Sequence, residues 1–409
     1  MASLSFSQKK ALALLILRRR RRRRRRRGRL AAGKKPMWVP PIVKARRNLG
    51  EFGLVRELQL DQDRFELYFR LSREQFESLL QRVGPSITKK TTNLKQPISP
   101  TQRLAICLRF LASGDSYTAI ASSYRLGIST ISGIASDVCR EIWNHLKEEF
   151  LPAPKAADWR EIAQGFRERW DFPNCLGALD GKHVVIQAPA NSGSLFYNDK
   201  GTRSVVLMAV VDASYRFRMV DVGAFGRSGD EGIFAASAFG QALGRGTLDL
   251  PEDAPLPGAA HMGPMPHTFV ADEAFPLRKN LLLPYRGRNL LSSERIFNFR
   301  LSRARRVVEN AFGLLSARWR IYHRVIGVKP ENVDLIVKAT VALHNFQRWN
   351  SAGQADFTPE AEACPTRALR EVPTVSSDHA CKDATGVRDK FATYFLSAAG
   401  DASWQKQLV

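Results

Sequence analysis

The sequence predicts an α/β protein, a three-layer domain built on a mixed sheet and preceded by an all-helical region. Three observations lead there. Runs rich in Val, Ile and Phe, separated by turn residues, begin at Cys175 and read as sequential strands. Apolar residues at helical spacing mark both the stretch before Leu151 and the stretch after Ser302. The 409 residues of the chain are enough for two or three domains with real cores.

The first segment is set by charge. Lys and Arg number 63 against 39 Asp and Glu, a formal net charge of +24, which excludes an acidic solvating protein and makes a polyanion such as DNA the leading partner. The excess is local. Residues 1–47 hold 18 Lys and Arg and no acid, with an unbroken arginine run from Arg18 to Arg27, so the remainder carries only 45 cations against 39 acids. Such a self-repelling segment is expected to be disordered in isolation. It reads as a nuclear-import and nucleic-acid tail or as a non-specific basic extension, since arginine runs bind any polyanion. The apolar run Ala11 to Leu17 precedes the arginines, the reverse of a secretory signal. No apolar run approaches the ~20 residues of a membrane span. The expected compartment is the nucleus, with the cytoplasm second and no membrane partner. Five scattered cysteines without a CxxC pair suggest neither a disulfide framework nor a cysteine zinc site.

Residues 48–165 read as helical. Ser72 opens SREQFESLLQRV with the spacing of a capping box. A second helix starts near Ser99-Pro100, and a short one runs from Tyr117 to Tyr124. A third, capped by Ser129 and extending to Leu146, buries Ile131, Ile134, Val138 and Ile142. Short helix, turn glycine and a helix opening on Ser-Thr form a helix-turn-helix-like pattern, with plain helix packing as the alternative. Arg125, in the turn, is the expected DNA contact.

Residues 170–349 change character at Phe172-Pro173. Strands are expected in CLGALDGKHVVIQAP, SVVLMAVVDASYRF, RMVDVGAFG and TFVADEAF, then a long helix from near Ser302 and a last one over roughly residues 331–349. Residues 350–409 read as a polar C-terminal tail with a short amphipathic helix from Val387 to Phe395.

Carboxylates carry the chemistry. Asp180, Asp212 and Asp272 stand at strand ends, and Glu309 lies inside the long helix beside Val308 and Phe312. Singly, each is an ordinary turn former or solvated acid. Together they suit a phosphodiester, whose charged transition state and poor leaving group call for two divalent ions about 3.5–4 Å apart. Mg²⁺ needs only a few hard oxygen ligands from different elements. The chain has no GxxxxGK[ST], HExxH or GxSxG, which removes the obvious alternatives. His183, near Asp180, reads as structural or as an assisting group.

The stretches GALDGKHVVIQAPANSGS, VVLMAVVDASYRFRMVDVG, FVADEAFPLRKNLLLPY and RIFNFRLSRARRVVENAFGLLSARWRI, ending at VALHNF, resemble the Harbinger (PIF-type) transposase family and transposase-derived nucleases. With RFELYFRLSREQFESLL and the helix-turn-helix region, the likeness spans roughly residues 50–350. It implies an RNase H-like DDE superfamily endonuclease domain with an Asp-Asp-Glu triad for Mg²⁺ or Mn²⁺. Carried over, the triad is Asp180 in LDGKH, Asp272 in VADEAF and Glu309 in VENAFG, with 36 residues between the last two. The implied activity is metal-dependent cleavage of DNA phosphodiesters, with strand transfer as a further step. The alternative is a domesticated DNA-binding regulator that keeps the fold without the reaction. A separate Myb-like DNA-binding protein is a partner implied by the family alone. In GRSGDEGIF, Asp230 occupies a Gly/Ser–Asp element of the relatives and reads as a helix-start cap, with metal contact as its alternative. Asp212 and Asp221 are expected to flank the site. Arg305 and Arg306, four and three residues before Glu309, project near its face and are expected to contact DNA, or else to be a solvated helix face.

Overall fold

The structure, a computed structural model, describes residues 51–90, 97–350, 382–402 and 404–405. All of them belong to one compact unit, Gly50–Val409. The arginine-rich tail and the polar stretch 351–381 lie outside the described residues.

Among the described residues, seven helices come first: α1 (Phe52–Leu58), α2 (Gln62–Phe69), α3 (Arg73–Ile87), α4 (Pro100–Ser113), α5 (Tyr117–Tyr124), α6 (Ile128–Phe150) and α7 (Ala156–Trp170). Their starts follow from local chemistry. Ser72 and Gln75 exchange hydrogen bonds at the head of α3, the Ser72 hydroxyl accepting from the Gln75 N–H at 3.2 Å and the Ser72 N–H donating to the Gln75 side chain at 3.0 Å. Ser99 caps α4 ahead of Pro100, whose missing N–H is harmless in a first turn. Gly114 ends α4 in the left-handed region at φ 70°, and a Cβ there would stand 2.9 Å from the Arg320 carbonyl oxygen, so both conformation and space require glycine. One expectation is corrected: Gly127, not Ser129, is the N-cap of α6, with no side-chain cap bond. Ser129 sits inside the first turn. The apolar stripe of α6 is buried as its spacing implies, from Ile131 through Ile142.

The sheet begins with an antiparallel meander, β1 (Cys175–Val185), β2 (Ser204–Val211) and β3 (Phe217–Phe225). Two short helices follow, α8 (Asp230–Ala236) and α9 (Ala238–Arg245), then a two-stranded ribbon, β4 (Ala254–Pro255) with β5 (Pro264–Met265). Strands β6 (Thr268–Val270) and β7 (Leu281–Leu282) add to the other side of β1 in parallel, giving the order β3-β2-β1-β6-β7. The sheet is therefore mixed. Every residue of β2 is buried, which explains its continuous apolar run where a half-exposed strand would alternate. Strand β7 has two residues, too few for a periodic signal.

The last elements are α10 (Ser292–Arg318), α11 (Pro330–Asn350) and α12 (Lys382–Leu396). Helix α10 starts ten residues before the expected Ser302, where Glu294 accepts from the Leu291 N–H at 2.8 Å. Helices cover both faces of the sheet. The Lys182 ammonium lies 5.8 Å from the Phe312 ring of α10, whereas the neighbouring Gly181 looks toward Asp230 at the start of α8, and successive strand residues face opposite sides. Helix α6 packs on α11, where Phe150 meets Phe346 edge-to-face at 5.3 Å. Helix α12 is longer than expected and is no tail. Phe391 and Phe395 are buried beside Phe172, with ring centroids 5.8 and 5.2 Å from it. Arg300 of α10, only 3% exposed, donates to the carbonyls of Asp171 and Gly400 and to Gln405, so the C-terminal residues close the core. No helix among the described residues is long and apolar enough to cross a membrane.

Candidate functional site

Asp180 lies mid-strand in β1, opposite Ala209 of β2, not at a strand end as the sequence suggested. Its Oδ1 accepts from the Gly181 N–H at 2.8 Å. Asp272 follows the end of β6 by two residues, and its Oδ1 accepts from the Ala274 N–H at 3.0 Å in the turn. Because β6 runs parallel beside β1, the chain leaving β6 carries Asp272 toward Asp180. Glu309 comes from α10, which packs on β1 and β6.

Arg305 ties these acids together. One turn before Glu309, its Nη2 lies 2.8 Å from Glu309 Oε1, and its Nη1 lies 3.9 Å from Asp180 Oδ2. Burial pushes Asp180 up to about 7, and the carboxylates of Asp272 and Glu309 push the same way against Arg305 and the Gly181 N–H. Asp272 is also raised, first by burial and further by Glu273 and Glu309, against its Ala274 hydrogen bond and Arg305. The three acids from β1, the β6 turn and α10 thus act on one another and share one guanidinium.

Asp230 joins this electrostatic system. The sequence marks it as a helix-start cap, but Gly229 is the N-cap of α8 and no side-chain cap bond forms. Instead, Asp230 Oδ1 lies 3.0 Å from where a Cβ on Gly181 would stand. Burial raises it to about 6, with Asp272 and Asp199 adding to the rise and Lys200 opposing it. The available signal was the glycine after Asp180: a glycine inside a strand often marks close approach of another group.

Other expected residues fall elsewhere. Asp212 does not flank the site; it is 2% exposed and paired to Arg216 at 3.1 Å and Arg218 at 2.8 Å in the β2–β3 turn. Asp221 sits mid-strand in β3 and accepts from the Ala238 N–H. Neither is among the charges acting on Asp180, Asp230 or Asp272. His183 bonds Ser204 Oγ at 2.8 Å, and burial followed by Lys200 lowers its pKa. Arg306 is half-buried on α10 and Arg125 occupies the left-handed turn between α5 and α6 at φ 52°. Neither is among the charges acting on Asp180 or Asp272.

Among the described residues, no three His, Cys, Asp or Glu side chains form a ready-made metal cage. The donor set nevertheless fits a hard divalent cation: carboxylate oxygens from three elements, mutually repelling and already neutralised in part by a cation. Two cavities, of about 250 Å³ beside Trp143 and Phe239 and about 340 Å³ beside Glu161 and Arg169, include none of these acids. The Glu309 side chain is 44% exposed. Glu309 thus brings one acid of the group to the protein surface.

The profile of the DDE superfamily endonucleases matches residues 179–345, a stretch that includes Asp180, Asp230, Asp272 and Glu309. The Arabidopsis thaliana protein ALP1-like is 30% identical over 297 residues, covering 70% of this chain and 71% of the relative. A second Arabidopsis thaliana protein, Antagonist of Like Heterochromatin Protein 1, is 27% identical, covering 69% and 72%. Rat HARBI1, named as a candidate nuclease, is 24% identical, covering 69% and 79%. No solved structure matches the chain.

Proposed function

Because the chain belongs to the DDE superfamily endonucleases, in the Harbinger transposase-derived family, we propose that it is a divalent-metal-dependent DNA endonuclease or transposase. Asp180, Asp272 and Glu309 would hold the metal, Mg²⁺ or Mn²⁺. The observation that carries this reading is Asp180: a half-buried carboxylate mid-strand, raised to about 7, beside two further acids and a guanidinium. Burying an acid next to other acids destabilises a fold, so the arrangement calls for a cationic function. The order β3-β2-β1-β6-β7, antiparallel on one side of β1 and parallel on the other, supports an RNase H-like description of the catalytic region.

When bound, divalent ions supply Lewis-acid polarisation of the phosphodiester and an activated water. The protein's own residues do the rest. Asp180 and Asp272 offer oxygens fixed by strand geometry and by N–H bonds from Gly181 and Ala274, and Glu309 closes the set from α10. Arg305 and Arg306 are suited to DNA phosphates beside the acids, since guanidinium binds phosphate bidentately. Arg125 and the first turn of α6 would contact DNA at a second place, as in a helix-turn-helix. The arginine-rich tail would add non-specific affinity and a nuclear address, and a Myb-like protein would supply further site recognition.

A second reading, a DNA-binding regulator without the reaction, is favoured by one relative's name, an antagonist of a heterochromatin protein. A supercoiled-plasmid nicking assay in Mg²⁺, Mn²⁺ and EDTA separates the two. Nuclease function predicts metal-dependent nicking that disappears in Asp272→Asn. Tight DNA binding with no nicking by the wild type in either metal would establish the regulator.

A further inference from the structure

As it stands, the Arg305 side chain faces the acids and not solvent alone. Its guanidinium is 2.8 Å from Glu309 and 3.9 Å from Asp180 and also acts on Asp272. The side chain is only 23% exposed. An (i, i+4) pair on a helix surface would need nothing beyond Glu309. The reach to Asp180, on a different element, makes Arg305 a counter-ion to the group as a whole. A guanidinium is permanently charged and directs its N–H groups in a rigid fork. Its nitrogens now stand at ion-pair distance from Glu309 Oε1 and Asp180 Oδ2, oxygens that a divalent cation would need.

We infer that Arg305 is an exchangeable counter-cation: it neutralises Asp180 and Glu309 while DNA and metal are absent, and moves to a DNA phosphate when a divalent ion takes those oxygens. This rests on the metal-binding reading above. Two physical points carry it. The guanidinium and the ion compete for the same carboxylates, so each weakens the other. A phosphate offers Arg305 an equivalent bidentate partner, so DNA removes the competitor. Metal binding and DNA binding are then thermodynamically linked, and the linkage must be reciprocal. Arg305 acts here as a positioning residue that keeps metal occupancy low until substrate arrives. No bond is made or broken in the exchange.

The test is Mn²⁺ binding by the full-length protein, followed as loss of the free-ion electron paramagnetic resonance signal, with and without a short duplex. Wild type should bind Mn²⁺ weakly alone and several-fold more tightly with duplex. Arg305→Gln should bind Mn²⁺ about tenfold more tightly without DNA, a factor that corresponds to a single lost competitor of modest strength, and the duplex should add little. Measured without duplex, Arg306→Gln is the control for net charge: it removes a neighbouring cation that is not among the charges acting on Asp180 or Asp272. Equal gains from Arg305→Gln and Arg306→Gln would reduce the effect to a general field and overturn the exchange. So would unchanged Mn²⁺ affinity in Arg305→Gln. Arg305→Lys, which keeps charge but loses the fork, should fall between wild type and Gln, and it serves if the Gln variant does not fold. Asp272→Asn reports on the underlying reading separately: if it leaves wild-type Mn²⁺ binding intact, the metal is not held by these acids and both conclusions fall together.

Discussion

Asp230 approaches Gly181 so closely that its Oδ1 stands 3.0 Å from the position a Cβ would occupy, with Val206 Cγ1 at 3.5 Å on the same side. The strand residue next to Asp180 is thus small because an acid from the start of α8 lies over it. Gly181→Ala should therefore cost about 1–3 kcal/mol by overpacking, and most of that loss should vanish when Asp230 is also changed to Ala. A double-mutant cycle from urea unfolding measures the coupling. Additive losses would mean that Asp230 does not constrain Gly181.

Asp180 makes metal-free stability depend on pH in a definite direction. Its ordinary value is 3.8 and the folded value is about 7. Between those values the folded protein retains a proton that the unfolded chain has released, so stability falls as pH rises from about 4 to about 7. Asp180→Asn removes this dependence. In EDTA, thermal unfolding should show the variant gaining on wild type across that window and keeping its lead above it. Parallel pH profiles would show that Asp180 titrates near its ordinary value.

Asn345 explains physically why the motif VALHNF carries an asparagine. Only 1% exposed, it donates from Nδ2 to the carbonyls of Phe150 and Phe217, both at 2.7 Å, and accepts from the Phe217 N–H at 3.0 Å. It thereby joins α11, the end of α6 and the start of β3. Asn345→Ala leaves buried backbone groups without that partner, each worth about 1–3 kcal/mol, so a loss of about 3 kcal/mol or more is expected. The urea midpoint should drop at unchanged slope. A loss below about 1 kcal/mol would mean that water replaces the amide.

Deleting residues 1–47 removes 18 of the 63 cationic side chains. DNA affinity should then fall less steeply with salt, because fewer counterions are released on binding, and a tagged truncation should leave the nucleus. Metal-dependent nicking at low salt should persist, since none of the acids is touched. An unchanged nuclear location would put the address elsewhere in the chain.

Much of the local chemistry was legible in the sequence. Ser72–Gln75 and Ser99–Pro100 identify helix starts because their partners are three residues away or fewer. The stripe from Ile131 to Ile142 identifies a buried face because helical period is a local property. The apolar run of β2 announced a strand, and the structure showed it buried throughout. The family likeness selected Asp180, Asp272 and Glu309 as one set.

Only the tertiary structure decided how those groups meet. Strand pairing puts Asp180 in the middle of β1, and the two-residue β7 exists only as a partner for β6. Burial turns the last described residues from a polar tail into core, around Arg300 and Phe395. Asp212, expected to flank the site, and Asp230, expected as a helix-start cap, part company in space. Asp212 is neutralised by Arg216 and Arg218, whereas Asp230 is left beside Gly181 with its charge opposed by Asp272. Arg305, expected from the sequence to contact DNA or to lie on a solvated helix face, stands as a counter-ion beside Glu309 and Asp180. The reason is general: a charge is defined by its neighbours and its burial, and both arise from contacts between residues far apart in the chain.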